Sequence, residues 1–294
     1  MAMRSWLFVP ADSEKKLGKA LATGADVLIL DLEDSVVPAN KAIAREMARG
    51  WLDLNRNAGR EAQRVGRWVR INALDTGVWR DDLVSVMPGQ PDGIVLPKAA
   101  GPESVQQVAA ELYELEQRHG IAPGSTRILP LVSETALAAI GIASYAAASL
   151  TRLIGLTWGA EDLSAAIGAT RKRDRIGAWT DTFRYVRSQT LLTAHACGVM
   201  AIDTLHSDFA DLKGLSRAAE ESRADGFAGM LAIHPAQVAV INQAFTPGEA
   251  ELAEARAIVE AFAANPTAGA LQIAGKMIDR PHLMLAKRVL GIDD

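Results

Sequence analysis

A single cysteine among 294 residues cannot form an intrachain disulfide, and Cys197 suits a chain that folds in a reducing cytoplasm. Long apolar runs are missing as well: no stretch approaches the ~18 uninterrupted apolar residues of a membrane span. There is no basic excess, since 31 Lys and Arg face 35 Asp and Glu, which leaves no electrostatic footprint for a nucleic-acid backbone. The opening MAMRSWLFVPADSEKK turns charged too early for a secretory signal. Histidine is scarce, with five residues and neither HExxH nor CxxC, so a nitrogen- or thiolate-rich metal site is not expected. No G-x-G-x-x-G follows the first apolar run and no G-x-x-x-x-G-K-[ST] occurs, which lowers the dinucleotide and nucleotide readings. These absences leave the expectation of a soluble cytoplasmic enzyme with no membrane or nucleic-acid partner. The length accommodates a barrel of about 250 residues plus about 50 more, or two smaller domains.

What the chain does have is a rhythm. Short, nearly continuous apolar runs recur at Ser5–Val9, Asp26–Leu32, Trp68–Ile71, Gly93–Leu96, Arg127–Val132, Leu153–Trp158, Val199–Thr204 and Met230–Ile233. Runs of that length read as strands buried on both faces, the signature of a parallel sheet. Between them lie stretches with helical spacing, among them Pro102–Gln117, Ala136–Ala148, Trp179–Ala196 and Leu212–Ser222. Eight strands at intervals of roughly 32 residues, each long enough for a βαβ unit, predict a (β/α)8 TIM barrel. A doubly wound open sheet is the second choice. After His234 the strands stop. The expected organisation is a barrel over 1–243 and a C-terminal helical extension over 244–294, with GEAELAEARAIVEAFAAN bounded by Pro-Gly and Asn-Pro as its clearest helix.

Barrel chemistry sits at the C-terminal strand ends. Reading those positions alone gives Pro10, then Asp31, Glu33 and Asp34, then Arg70 and Asn72, Lys98, Glu134, Gly159-Ala160-Glu161-Asp162, Asp203 and His234. Glu134 closes RILPLVSE, and Asp162 follows LIGLTWGA 28 residues later, about one βα unit. Two carboxylates on adjacent strand ends suit a hard divalent cation that keeps open positions for water and substrate oxygens. Spacing alone leaves a second reading open, in which both acids cap the helices that follow. Arg70 ends an apolar run, where its charge must pair with a carboxylate such as Glu33, bind an anionic substrate, or do both. Asp31, Glu33 and Asp34 cannot all stay ionised side by side without a cation, so at least one must face away. For Lys98, a structural or anion-binding role is preferred to a Schiff base. For His234, a satisfied structural role is preferred to a general base.

At these residues the chain resembles the HpcH/HpaI aldolase and citrate lyase superfamily, in its citrate lyase beta-subunit-like branch, which includes malyl-CoA and citramalyl-CoA lyases. The resemblance is carried by RSWLFVPAD, GADVLILDLEDSVVPANKAIAR, RWVRIN, DGIVLPK, LVSET, GLTWGAEDLSAAIG, GFAGMLAIHPAQV and AGKMIDRPHLMLAKRVL. It implies a (β/α)8 barrel assembled as a homotrimer or dimer of trimers, with Mg2+ (or Mn2+) on Glu134 and Asp162. It implies that Arg70 contacts the bound acid and that Asp279 of the MID segment reaches a neighbouring subunit's site. With Glu33, these two make the expected catalytic set. Arg70, Gly159, Ala160 and Glu161 make the expected substrate-binding set. The aldolase branch acting on free hydroxy-keto acids carries an early His in an Asp-x-Glu-His stretch, whereas this chain has Asp31-Leu32-Glu33-Asp34 and no His before His119.

The implied activity is Claisen-type cleavage or formation of a 3-hydroxyacyl-CoA such as malyl-CoA or citramalyl-CoA. The partners are then coenzyme A, carried by the substrate, and a small 2-oxo acid, glyoxylate or pyruvate. FVPAD departs from the commoner Pro-Gly or Pro-Ala-Asn start at the turn bordering the implied CoA site. The lyase subunit of a citrate lyase complex acting on citryl-acyl carrier protein is therefore an alternative. So are an aldolase on free 4-hydroxy-2-oxo acids and, from a different class, a non-catalytic accessory barrel.

Overall fold

The computed structural model describes residues 3–56 and 65–292. Eight strands follow one another as β1 (Ser5–Pro10), β2 (Val27–Asp31), β3 (Gly66–Arg70), β4 (Gly93–Leu96), β5 (Arg127–Pro130), β6 (Gly155–Thr157), β7 (Met200–Asp203) and β8 (Gly229–Ala232). All pair in parallel, in the order β5-β4-β3-β2-β1-β8-β7-β6. The remaining seam closes through parallel bridges Ile128–Leu153 and Leu131–Thr157, with Val132 N–H donating to the Thr157 carbonyl at 2.9 Å. The result is the expected (β/α)8 barrel.

Two layers of apolar packing follow from the strand alternation. Trp6, Val27, Ile29, Trp68, Val95, Leu129, Ile202 and Leu231 form one cluster drawn from seven of the strands, the filling of the barrel. Leu28, Leu30, Val69, Ile94 and Ile128 are the alternate residues and pack outward with the helices. Trp6 and Trp68 meet edge to face at 5.0 Å. Their bulk is possible because β4 starts with a glycine: a Cβ on Gly93 would lie 2.4 Å from the Trp68 ring.

The chain divides into a unit over Met1–Phe245 and a second over Thr246–Asp294. The second unit differs from the helical extension expected of it. Helix Glu249–Ala264 is followed by an antiparallel hairpin, β9 (Ala270–Ile273) and β10 (Lys276–Asp279), and then by helix Arg280–Leu290. Ala274 and Gly275, at φ 49° and 80°, form the two-residue turn that such a hairpin needs. Ile278 of β10 is buried with Ala255, Ile258, Phe262 and Ala286 of the two helices, which gives this unit its own core. Among the described residues no helix is long and apolar enough to cross a membrane.

Candidate active site

Strand β3 is buried throughout and delivers Arg70 at its C-terminal end. A guanidinium there needs compensation, and β2 supplies it from the register-paired position. Asp31 accepts from Arg70 Nε and Nη2 at 2.7 Å each, a bidentate pair. The Asp31 carboxylate also accepts the N–H groups of Glu33 and Ser35. Burial alone would push Asp31 up, but the Arg70 charge and these hydrogen bonds hold it below the usual carboxylate range. The guanidinium also lies over the Phe8 ring, 4.5 Å from its centroid. The expected partner Glu33 is present as well, though second in rank. Its Oε2 is 3.0 Å from Arg70 Nη1 but misaligned, so this buried oxygen has no hydrogen-bond donor.

Glu33 is shared with Lys98, whose Nζ lies 2.5 Å from Oε1. Burial pushes the Glu33 carboxyl up against the pull of these two cations. Lys98 is pushed above the ordinary lysine range: burial works against its charge, but Glu33, Asp34 and Asp162 outweigh it. An amine held in its charged form by three carboxylates is a poor Schiff-base nucleophile, which favours the ion-pairing reading of Lys98 over the imine reading. Of the three early acids, Asp34 is the one turned to solvent, with 53% of its side chain exposed, while Asp31 and Glu33 are buried. Lys41 adds a third cation, donating to the carbonyls of Leu32 and Glu33 at 2.6 and 2.7 Å.

Glu134 follows β5 and Asp162 follows β6. Glu134 is 3% exposed and accepts the Lys98 backbone N–H at Oε2. Burial, and after it the Asp162 charge, raises its carboxyl to about 8. Gly159 makes room for it, since a Cβ there would fall 2.9 Å from Glu134 Cγ and 3.0 Å from Oε1. Neither acid makes the side-chain cap that the alternative reading required: Thr135 caps helix Ala136–Gly141, and Asp162 lies inside helix Ala160–Ala166. Asp31, Glu33, Asp34, Glu134 and Asp162 face the three cations Arg70, Lys98 and Lys41, an excess of two carboxyl groups that becomes two negative charges once Glu134 gives up its raised proton. That excess, the raised Glu134 and the all-oxygen donor set fit one hard divalent cation. Among the described residues no group of three or more His, Cys, Asp or Glu is arranged to hold a metal. Two carboxylates with the other positions left to water and substrate is the coordination that Mg2+ accepts.

The other expected residues fall in different places. Gly159 and Ala160 N–H groups are engaged by the hydroxyls of Ser133 (3.1 Å) and Thr204 (3.5 Å), and the Glu161 carboxylate pairs with Lys172. Asp279 belongs to the C-terminal unit, at the end of β10, where its carboxylate pairs with His282 Nδ1 at 2.5 Å. His234 caps helix Pro235–Ala244, its Nδ1 accepting the Ala236 N–H, which is the structural role preferred for it. Asp203, one of the strand-end acids, is buried and accepts from Trp158 Nε1, Arg187 Nε and Ser222 Oγ. It ties β6, β7 and their helices together.

Sequence reasoning missed Asp82. It is fully buried and accepts both the N–H and the side-chain amide of Asn72 at 2.7 Å, which fixes the residue next but one to Arg70. The signal was available: Trp79, Asp82, Leu83 and Val86 form a helical apolar stripe with one acid in it.

Fold and site define a parallel (β/α)8 barrel with an acidic mouth. The chain belongs to the HpcH/HpaI aldolase/citrate lyase family, whose model matches residues 4–235. It is 38% identical over 286 residues to a citrate lyase subunit beta-like protein of Mycobacterium tuberculosis, covering 97% of this chain and 93% of the relative. It is 31% identical over 301 residues to the mitochondrial citramalyl-CoA lyase of Rattus norvegicus, covering 98% and 85%. Among solved structures, the CitE protein of M. tuberculosis in complex with magnesium, acetoacetate and coenzyme A matches with a TM-score of 0.76 at 37% identity, over 99% of this chain and 97% of that one. These likenesses fall in the citrate lyase beta-like branch.

Proposed function

We propose that this chain is a magnesium-dependent carbon–carbon lyase acting on a 3-hydroxyacyl-CoA of the malyl-CoA or citramalyl-CoA type. The products are acetyl-CoA and a 2-oxo acid, glyoxylate or pyruvate, and the reaction is reversible. The observation that carries this reading is the meeting of two strand-end carboxyl groups, Glu134 and Asp162, with the rigidly paired Arg70. A relative solved with magnesium, acetoacetate and coenzyme A supports it.

In cleavage, the substrate hydroxyl loses its proton to solvent as the hydroxyl carbon becomes the ketone. The adjacent C–C bond breaks, and its electron pair leaves with acetyl-CoA as the enolate. Glu134 and Asp162 would hold a divalent cation, which would supply Lewis acidity toward that developing carbonyl when bound. Arg70 steadies charge on the same acid with the N–H groups not used by Asp31, and Asp31 keeps the fork from turning. Glu33, held between Arg70 and Lys98, sets the spacing of those cations. Asp279, delivered from a neighbouring subunit of a homotrimer or dimer of trimers, takes a proton from solvent and passes it to the enolate carbon in cleavage, and removes one from the acetyl methyl in condensation. Its hydrogen bond to His282 keeps it below the ordinary aspartate range, so it rests as the base that the condensation direction requires.

The experiment is an assay of CoA-thioester turnover over malyl-, methylmalyl- and citramalyl-CoA, with Mg2+ and with EDTA. Turnover of at least one substrate, abolished by EDTA and by Glu134→Ala, is expected. Activity on free 4-hydroxy-2-oxo acids without CoA, or EDTA-resistant turnover, would contradict it. The absence of an early His, with Asp34 in that position, favours the thioester reading over the free-acid aldolase.

A further inference from the structure

Lys98 touches both halves of the site through two different groups. Its backbone N–H donates to Glu134 Oε2. Its ammonium lies 2.5 Å from Glu33 Oε1, 3.5 Å from Asp34 Oδ1 and 3.9 Å from Asp162 Oδ1. Neither contact is incidental to the backbone. Lys98 sits at φ 49°, in the left-handed region where a side-chain-bearing residue is strained, and Ala99 N–H is tied to the Leu131 carbonyl at 3.2 Å. That turn aims the amide at Glu134, and it projects the ammonium into the space between the β2 acids and Asp162. Among the described residues no other cation pairs with Asp162, whereas Asp31 and Glu33 are already served by Arg70.

We propose that Lys98 is a positioning residue that sets how tightly the barrel mouth holds its divalent cation. The amide fixes Glu134 in place, and the ammonium acts as a resident counter-cation that competes for the field of Asp162 and Asp34. The inference rests on the reading of Glu134 and Asp162 as the cation ligands. Without this competitor the same carboxylates would bind the metal more strongly and release it less readily. The ammonium is anchored on Glu33 and stays nearby when the metal enters, so its repulsion weakens the metal's affinity throughout.

The test is calorimetric titration of Mg2+ into the full-length chain, comparing wild type, Lys98→Met, Lys98→Arg and Glu134→Ala. Lys98→Met keeps the backbone amide and removes the charge, and its Kd should tighten by roughly tenfold, the order expected for one unit charge at a partly exposed site. Lys98→Arg keeps the charge and should stay close to wild type. A role confined to holding the loop together predicts the opposite sign, since a loosened site binds less well. Lys98→Gln offers the same loss of charge, and the same expected tightening, if the Met variant does not fold. An unchanged or weakened Kd in the folded charge-neutral variant overturns this inference alone. Absence of Mg2+ binding in wild type, or undiminished binding by Glu134→Ala, overturns both this inference and the cation site it rests on.

Discussion

At the residue scale, Glu134 carries the sharpest electrostatic conflict. Its carboxyl is buried beside Asp162 with one backbone N–H for compensation, and this holds it at about 8 against an ordinary 4.5. A raised acid favours folding while it is protonated. Its contribution is complete below about 4.5, falls as the unfolded chain ionises, and is lost once the pH passes about 8. In metal-free protein, thermal melts should therefore show wild type losing stability relative to Glu134→Gln between those two values. Protons and Mg2+ also compete for the same carboxylate, so the Mg2+ Kd should tighten as pH rises toward 8 and level off above it. A Kd independent of pH across that window would place the metal elsewhere. Asp31 shows the opposite solution at equal burial, since a bidentate guanidinium keeps it ionised.

At the element scale, the site depends on where short strands stop. Strand β6 has only three residues, and the glycine two positions beyond it determines whether Glu134 has room. Gly159→Ala should leave the fold intact and weaken Mg2+ binding by roughly tenfold, less than the ~10²-fold that a full 1 Å misplacement costs. Calorimetry beside a thermal melt checks both parts. Strands of this kind were legible because a strand buried on both faces writes a continuous apolar run. Gly93–Leu96 is read and observed with the same bounds, and Leu153–Trp158 shrinks to Gly155–Thr157. The Glu134 and Asp162 pair was legible for the same reason, as acids just past such runs. Three-dimensional pairing was not. Nothing in the spacing says that Asp31 outranks Glu33 as the partner of Arg70, because a register between β2 and β3 decides it. Nor does it show that Asp203 is consumed by Trp158, Arg187 and Ser222, residues from three other segments. The hairpin at Ala270–Asp279 was hidden because its strands are short and half exposed, so neither run looks buried.

At the scale of the whole molecule, residues proposed to act together lie in two separately folded units. Arg70, Glu33, Glu134 and Asp162 belong to the barrel, and Asp279 belongs to the C-terminal unit with its own core. If Asp279 acts on a neighbouring copy, two inactive variants should repair each other. Asp279→Asn and Glu134→Ala, mixed under conditions that exchange subunits, should regain a substantial fraction of wild-type turnover, while each alone stays inactive. Asp279→Asn by itself should bind Mg2+ normally. Mixtures that stay inactive after confirmed exchange would confine the residue to its own chain or to capping helix Arg280–Leu290.

The central claim is that the bond broken is carbon–carbon and that a metal at Glu134 and Asp162 is needed to break it. The most direct measurement is product stoichiometry from a hydroxyacyl-CoA substrate in the presence of Mg2+. One acetyl-CoA per 2-oxo acid, falling to background on Glu134→Ala, is the predicted result. Free CoA with intact hydroxy acid, or unchanged products from the Glu134→Ala variant, would contradict it.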